Sequence, residues 1–403
     1  NGAFIGYSED TFTPSEFELT PYLKEGENKL AAQVFKWTSG SWCEDQDFFR
    51  FSGIYRDVYL YTIPDVHIFD LKVQTLLDDT FTRADLVVDT KTIGKGNVKL
   101  TLAKDGTVLQ NTEGVLHGET QFVLKVDHPE LWSAETPVLY DLLLEVTAED
   151  GTVQELIPQR VGFRRFEMKD HIMTLNGKRV VFKGVNRHEF SSVSGRVVSR
   201  EELIKDLTTM KQNNINAIRT CHYPDAVGIY DLCDEYGILL WEDLMYACNI
   251  YDVTPEFAEN IAIEAKDNIL RFRNHACLGL ICGNNELECA WTDWKDVQGH
   301  APSLKRDYLY QFEFLLADVV KENAPDAFYW PSSPSSGGSF DNPCDENRGD
   351  CHYWDVWHGQ KPFTDYQKHY FRFCSEFGFQ SFPCLKTVES FTEEKDRNIF
   401  SRV

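Results

Sequence analysis

The chain has 403 residues, 42% hydrophobic and 26% charged, with a formal net charge of −24. That length asks for two or three domains, and the composition is ordinary for a globular protein. The acidic excess speaks against nucleic acid as a partner, and no apolar run approaches the roughly 18 residues of a membrane span.

In chain order, residues 1 to about 62 read as strands and turns. Ala3–Tyr7 and Lys29–Phe35 are β-rich, with Glu25-Gly26-Glu27-Asn28 a turn between them. The stretch opens mid-pattern on Asn1-Gly2-Ala3, so the natural N-terminus is expected upstream. Ser41 to Gly53 mixes acids, aromatics and an arginine without a period; such a segment either reaches into a neighbouring site or is a solvated turn. Residues 63 to about 163 are again β throughout. Val66–Thr75, Ala84–Thr90 and Val98–Ala103 read as strands, and Lys104-Asp105-Gly106-Thr107 is a hairpin turn of the Asp-Gly type. Short strands at this spacing predict a second sandwich of about one hundred residues, acting as a spacer.

After Arg164 strands alternate with helices. Val180–Asn186 is the first strand. Ser199 with Glu202 three residues on opens a helix to about Asn213. Asn216–Arg219 is strand two, and a helix to Tyr236 stops at Gly237. Ile238–Asp243 is strand three, Thr254-Pro255 caps the next helix, and Cys277–Cys282 is strand four. Ser303 is expected to cap a helix to about Asn323. Phe328–Trp330, Asp350–Tyr353 and Phe371–Glu376 are strands five to seven, and Thr392 to Lys395 starts a further helix. Pro331 to Gly349 is a long loop of the kind that shapes pockets. Seven such units point to a (β/α)8 barrel. No eighth strand follows, so the barrel is expected to be incomplete, with two open edges.

Chemistry concentrates where buried strands stop. Cys277 to Cys282 is wholly apolar apart from its glycine and breaks into Gly283-Asn284-Asn285-Glu286; Phe371 to Cys374 ends likewise in Ser375-Glu376. Carboxylates at strand carboxyl ends lie where α/β barrels keep their chemistry. Two of them are what glycoside hydrolysis requires, one acid for the leaving oxygen and one nucleophile for the sugar. Each also suits a structural hydrogen-bond acceptor. Ten of the 11 cysteines lie between Cys221 and Cys384, several inside apolar runs. They read as small buried hydrophobes in a reduced, cytoplasmic protein, without a zinc site.

The order of domains, together with Asn216-Ala217-Ile218-Arg219-Thr220-Cys221-His222-Tyr223-Pro224, Gly283-Asn284-Asn285-Glu286 and Ser375-Glu376-Phe377-Gly378, resembles glycoside hydrolase family 2 over nearly the whole chain. The resemblance implies a truncated jelly-roll-like sandwich over residues 1–62, an immunoglobulin-like sandwich over 63–163 and an incomplete TIM barrel over 164–403. Residues 1 to about 224 look like the β-galactosidases of the family, through Glu44-Asp45-Gln46-Asp47, Gly184–Glu189 and His222-Tyr223-Pro224. From about Trp241 onward the chain looks like its bacterial β-mannosidases, through Trp241–Cys248, Pro331–Pro334 and Gly349–Trp354, so it reads as a mosaic.

By this resemblance Glu286 is the general acid/base and Glu376 the nucleophile of a retaining exo-β-glycosidase that removes terminal β-D-galactose. A β-mannosidase, and an inactive fragment that only binds carbohydrate, are the alternatives. Arg219 is expected to hold Glu376 charged and Tyr353 to donate a further hydrogen bond to it. Asn285 is expected on the sugar 2-hydroxyl, Asp47 and His222 on other hydroxyls, and His352 and Trp354 in the pocket wall. His188 suits a sugar contact or a core position equally. The partner is then a β-galactoside or β-mannoside oligosaccharide, and a homo-oligomer is admitted. A magnesium site of the galactosidase kind would use Asp243 and a histidine two residues on, but Met245 stands there, and a thioether is too soft for magnesium. No cofactor is expected.

Overall fold

The computed structural model describes residues 1–9, 11–44, 48–380 and 382–402. Among the described residues up to 62 there is no β-strand, only a 3₁₀ turn at Thr20–Tyr22, helix α1 (Gly40–Cys43) and a single bridge between Glu44 and Ala247. The strands expected at Ala3–Tyr7 and Lys29–Phe35 are therefore corrected. Their sequences favour extended backbone, but a strand also needs a lateral partner for its N–H and C=O groups. Here the segments run exposed, with Phe4 at 79% and Leu30 at 72% of full accessibility. Where this region does pack, it packs on the β/α part of the chain. Phe12 is buried and stacks on Tyr223 at 4.3 Å, and the Arg56 guanidinium donates to the Phe12 carbonyl, to Glu189 and to the Pro224 carbonyl.

The next unit is one antiparallel sheet of β1 (His67–Leu77), β2 (Arg83–Lys104), β3 (Thr107–Asp127), β4 (Tyr140–Ala148) and β5 (Val153–Val161). One edge of β2 zips to β3 along its length, and the other takes β1 first and β4 afterwards. Between the two stretches the register slips from Thr92 to Lys95. Gly94 sits at the bend with φ +78°, and a Cβ there would come 2.2 Å from the Asp65 carbonyl oxygen, so no other residue fits. Both halves bury alternate side chains in one core, among them Leu86, Val88, Leu100, Leu102 and Leu144. The hairpin turn falls at Asp105-Gly106, both with positive φ, as a two-residue Asp-Gly loop requires.

A small antiparallel sheet, β6 (Phe166–Lys169), β7 (Ile172–Leu175) and β8 (Lys178–Arg179), leads into the β/α region. There β9 (Gly184–Arg187), β10 (Ala217–Thr220), β11 (Leu239–Ala247), β12 (Leu278–Asn285) and β13 (Phe328–Trp330) form a parallel sheet in sequential order. Every residue of β10, β11 and β12 is buried, the signature of strands covered on both faces. The helices between are α2 (Arg200–Gln212), α3 (Gly228–Tyr236), α4 (Pro255–Phe272), α5 (Leu287–Asp293), α6 (Pro302–Leu309) and α7 (Leu316–Asn323), the last two joined by a π-helical turn. Ser199 and Glu202 form the full capping box, Thr254 caps α4, and Gly237 closes α3 in the left-handed conformation. The cap expected at Ser303 is corrected: α6 starts at Pro302 with Ala301 before it, because proline suits the first helical position.

Strands six and seven, β14 (Cys351–Tyr353) and β15 (Cys374–Phe377), pair in parallel as a separate two-stranded sheet. Among the described residues no strand ladder joins them to the five-stranded sheet. Side chains and isolated backbone bridges make the link: the Asn186 amide donates to the Ser375 carbonyl at 3.0 Å, Trp330 Nε1 to Asp350 at 2.8 Å, and the Asp350 N–H to the Ser335 carbonyl at 3.1 Å. After β15 comes α8 (Leu385–Phe391), with no buried residue, and the start expected at Thr392 is only a 3₁₀ turn, Glu394–Asp396. Cys344 and Cys351 are joined as a disulfide, which corrects the all-reduced reading of the cysteines at that pair; Cys233, Cys277 and Cys282 are buried free thiols.

Candidate active site

Glu286 follows the last residue of β12 and precedes α5, with φ +63°. That left-handed conformation is uncommon for a residue with a side chain and is held here from both sides. The Glu286 N–H donates to the Ser333 carbonyl at 2.8 Å, and the Ser333 N–H to the Asn284 carbonyl at 2.9 Å. The loop after β13 can lie this close because Gly283 has no side chain; a Cβ there would come 2.4 Å from the Pro331 oxygen. Glu376 is the third residue of β15. The two strand ends nevertheless converge: one oxygen of each glutamate and a ring nitrogen of His352 lie within 4.8 Å of one another.

The surroundings of Glu376 are densely polar. Arg219 Nη1 reaches its Oε1 at 2.5 Å, the Trp354 indole N–H donates to its Oε2 at 3.1 Å, and His352 Nδ1 lies 3.4 Å from Oε2. Burial works to raise the pKa of this carboxyl, but the charges of His352 and Arg219 outweigh it and hold the group at about 2. Arg219 is buried and fans out over the site. Its Nε donates to both oxygens of Asp243 at 3.1 and 3.0 Å, and its Nη2 to Asn285 Oδ1 at 2.8 Å. His222 places Nδ1 2.9 Å from Asp243 and Nε2 3.8 Å from Glu376. His188 stacks on Phe48 at 4.8 Å, and burial together with His222 depresses its pKa to about 4.

Glu286 has fewer partners. Its Oε1 meets His352 Nδ1 at 2.9 Å, and the Cys248 thiol lies 3.9 Å from Oε2, with the Asn285 amide 3.4 Å from that sulfur. Burial opposes the charge on His352, yet Glu376 and Glu286 more than compensate and raise its pKa.

Most of the expected residues converge, with three exceptions. Tyr353 is corrected: side chains alternate along β14, so His352 and Trp354 face the glutamates while Tyr353 faces away. Its hydroxyl donates to Asp365 at 2.5 Å, and its ring packs on His369 and Phe371. The indole of Trp354 makes the bond to Glu376 that Tyr353 was expected to make. Asp47 lies outside the described residues. Asp243, finally, has no oxygen to spare for a metal: Oδ1 accepts from Arg219 and Trp241 Nε1 (2.9 Å), and Oδ2 from Arg219 and His222. With sulfur at Met245 as well, these residues do not fit a magnesium ion. Ser333, Asp350 and Cys248 escaped the sequence reading. The serine-rich turn after strand five was visible, but nothing local showed that it folds back under Glu286.

Comparison with known proteins bears on this geometry. Residues 1–64 match the sugar binding domain of glycosyl hydrolases family 2, residues 66–164 the domain described by the family name alone, and residues 166–323 the family's TIM barrel domain. A beta-galactosidase of Halalkalibacterium halodurans is 50% identical over 251 residues, 60% of this chain and 25% of that protein. One from Clostridium acetobutylicum is 45% identical over 303 residues, 70% of this chain and 34% of that protein. The chain therefore spans about a quarter to a third of these curated relatives. Among solved structures, a beta-D-mannosidase from Dictyoglomus thermophilum superposes with a TM-score of 0.75 at 26% identity, over 83% of this chain and 43% of that one. Three consecutive domain matches, which together run from residue 1 to residue 323, place the chain in glycosyl hydrolase family 2.

Proposed function

We propose that the chain carries the active site of a retaining exo-β-glycosidase that hydrolyses terminal non-reducing β-D-galactosides. The observation that carries the reading is the spacing of the two carboxylates. Oxygens within 4.8 Å of one another suit the separation of about 5–5.5 Å used for double displacement, whereas inverting enzymes need about 6.5–9.5 Å to admit a water. Glu376, held ionised by Arg219 and His352, attacks the anomeric carbon, and Glu286 protonates the departing oxygen. Glu286 then takes a proton from the water that releases the sugar. Asn285 and His222 flank the nucleophile, where sugar hydroxyls fall within reach. Asp243 serves as counter-ion to Arg219, and the scheme needs no metal.

Galactose is favoured by the beta-galactosidase relatives at 45–50% identity. A β-mannoside is the second reading, favoured by the mannosidase that superposes over 83% of the chain. Turnover of p-nitrophenyl β-galactoside and β-mannoside by the purified protein separates them. A higher kcat/KM on the mannoside overturns the galactoside assignment, and release of an α-configured sugar, read by NMR, overturns the retaining scheme.

A further inference from the structure

The protonation of His352 can be read from its far side. Asp350, 3% exposed, accepts four hydrogen bonds: from Trp330 Nε1 at 2.8 Å, the Ser335 N–H at 3.0 Å, Ser333 Oγ at 2.7 Å and Ser375 Oγ at 2.5 Å. With the hydroxyl hydrogen of Ser333 given to its shortest contact, Asp350, a lone pair of the same oxygen faces His352 Nε2 at 3.0 Å. A lone pair asks for a donor, so Nε2 carries a hydrogen. On the other side Nδ1 faces Glu286 Oε1 at 2.9 Å and Glu376 Oε2 at 3.4 Å; with both carboxyls ionised both oxygens accept, and Nδ1 then carries a hydrogen too. A ring that donates from both nitrogens is an imidazolium. The local charges run the same way: with Glu286 ionised, three carboxylates, Asp243, Glu376 and Glu286, face the single positive charge of Arg219, and a charged His352 supplies a second. Its raised pKa follows from the same neighbours.

We propose that His352 is the proton store for the acid/base, passing its Nδ1 proton to Glu286 Oε1 for the bond-breaking step and recovering it afterwards. The inference rests on the glycosidase reading above and adds where the acid's proton is kept. In the first half-reaction the imidazolium becomes imidazole as Glu286 becomes a carboxylic acid. That acid then protonates the glycosidic oxygen while the bond from carbon to oxygen breaks and Glu376 bonds to the anomeric carbon. In the second half Glu286 takes a proton from water as the hydroxide displaces Glu376, and the proton returns to Nδ1. His352 touches no substrate atom in this scheme; it is a positioning residue acting through Glu286. The charged and titratable groups around it are Glu286 on one side, Glu376 with Arg219 and His222 behind it on another, Asp350 beyond Ser333, and the Cys248 thiol at the far oxygen of Glu286. The basic limb of kcat/KM then follows loss of the His352 proton, which its carboxylate neighbours hold.

The test is a set of pH profiles of kcat/KM for aryl β-galactosides of graded leaving-group ability, with wild type, His352→Gln and Ser333→Ala. General acid catalysis contributes about 10²- to 10⁴-fold. His352→Gln is expected to lose that much on phenyl galactoside but less than about tenfold on the 2,4-dinitrophenyl compound, which leaves without a proton. Its basic limb moves to lower pH, because the imidazolium that stored the proton is gone. Ser333→Ala removes the acceptor for the Nε2 hydrogen, disfavours the imidazolium and moves the limb the same way; it decides the matter if His352→Gln does not fold. Equal losses on all leaving groups, or a basic limb unmoved in Ser333→Ala, overturn the proton store. A wild type inert on every aryl glycoside overturns the glycosidase reading beneath it, and is seen before any variant is made.

Discussion

Glu286 and Glu376 are the same side chain at the ends of two parallel strands, and their surroundings differ in nearly every respect. Glu376 is 8% exposed at its side chain and meets a guanidinium, an indole N–H and an imidazole; Glu286 is 19% exposed and meets one imidazole and, at longer range, a thiol. The difference comes from the strands beside them. Arg219 on β10 and Trp354 after β14 both point at β15, whereas Glu286 is turned out of its strand by a left-handed residue and a loop that folds back under it. One fold can run acid and nucleophile chemistry together when environment pushes two like groups apart in this way.

Removing either carboxylate tests the contrast most strongly. Glu376→Gln is expected to lower kcat at least about 10⁴-fold and to abolish a trapped glycosyl-enzyme in the mass spectrum, since a nucleophile has no substitute. Retention of more than a few per cent of turnover refutes the role. For Glu286→Ala the loss is about 10²–10⁴-fold with a poor leaving group. With a dinitrophenyl leaving group, added azide should raise the rate and yield a glycosyl azide; no azide effect moves the acid role elsewhere.

A smaller effect tests the corrected wall. Trp354→Phe removes a hydrogen bond to a charged group, worth about 1.5–3 kcal/mol, and should lower kcat about ten- to a hundredfold. Tyr353→Phe removes only the bond to Asp365 and should leave kcat within about twofold while lowering Tm, because it leaves the barrier to reaction nearly untouched. Equal kinetic losses in the two variants would return Tyr353 to the site.

The pH dependence of stability sharpens the picture at Glu376. Its folded pKa of about 2 lies below the ordinary glutamate value of about 4.3. Its contribution is therefore fully present above pH 4.3 and is lost as pH falls toward 2. The same loss should be absent from Glu376→Gln in urea titrations at pH 5 and pH 3. The least effect is expected from chelation: EDTA should leave kcat/KM unchanged, and a loss restored by magnesium would show a metal bound by residues other than Asp243 and Met245.

The β/α half was legible residue by residue. All seven strands fall within a few residues of where apolar runs bounded by polar turns place them, and the caps at Ser199, Thr254 and Gly237 are local chemistry that a short window contains. The first 62 residues were not legible in the same way. Ala3–Tyr7 has strand composition, but composition reports what a backbone prefers, not whether a neighbour is there to take its hydrogen bonds. The candidate site divides similarly. Strand-end position pointed to Glu286 and Glu376, and family motif to Arg219, His222 and Asn285.

Which face of β14 looks inward was beyond reach, since His352, Tyr353 and Trp354 are equally polar-aromatic and a shift of one residue exchanges the faces. The amino-acid sequence by itself determined the order of the seven strands of the β/α half, the two strand-end carboxylates and the thioether at Met245, because each depends on neighbours within a few positions. Tertiary structure alone decided that Trp354 rather than Tyr353 meets Glu376, that Asp243 is spent on Arg219, and that Ser333 stands between Asp350 and His352. These last depend on side chains 17 to 24 positions apart, on different strands and loops, and only the packed fold brings such pairs within hydrogen-bonding distance.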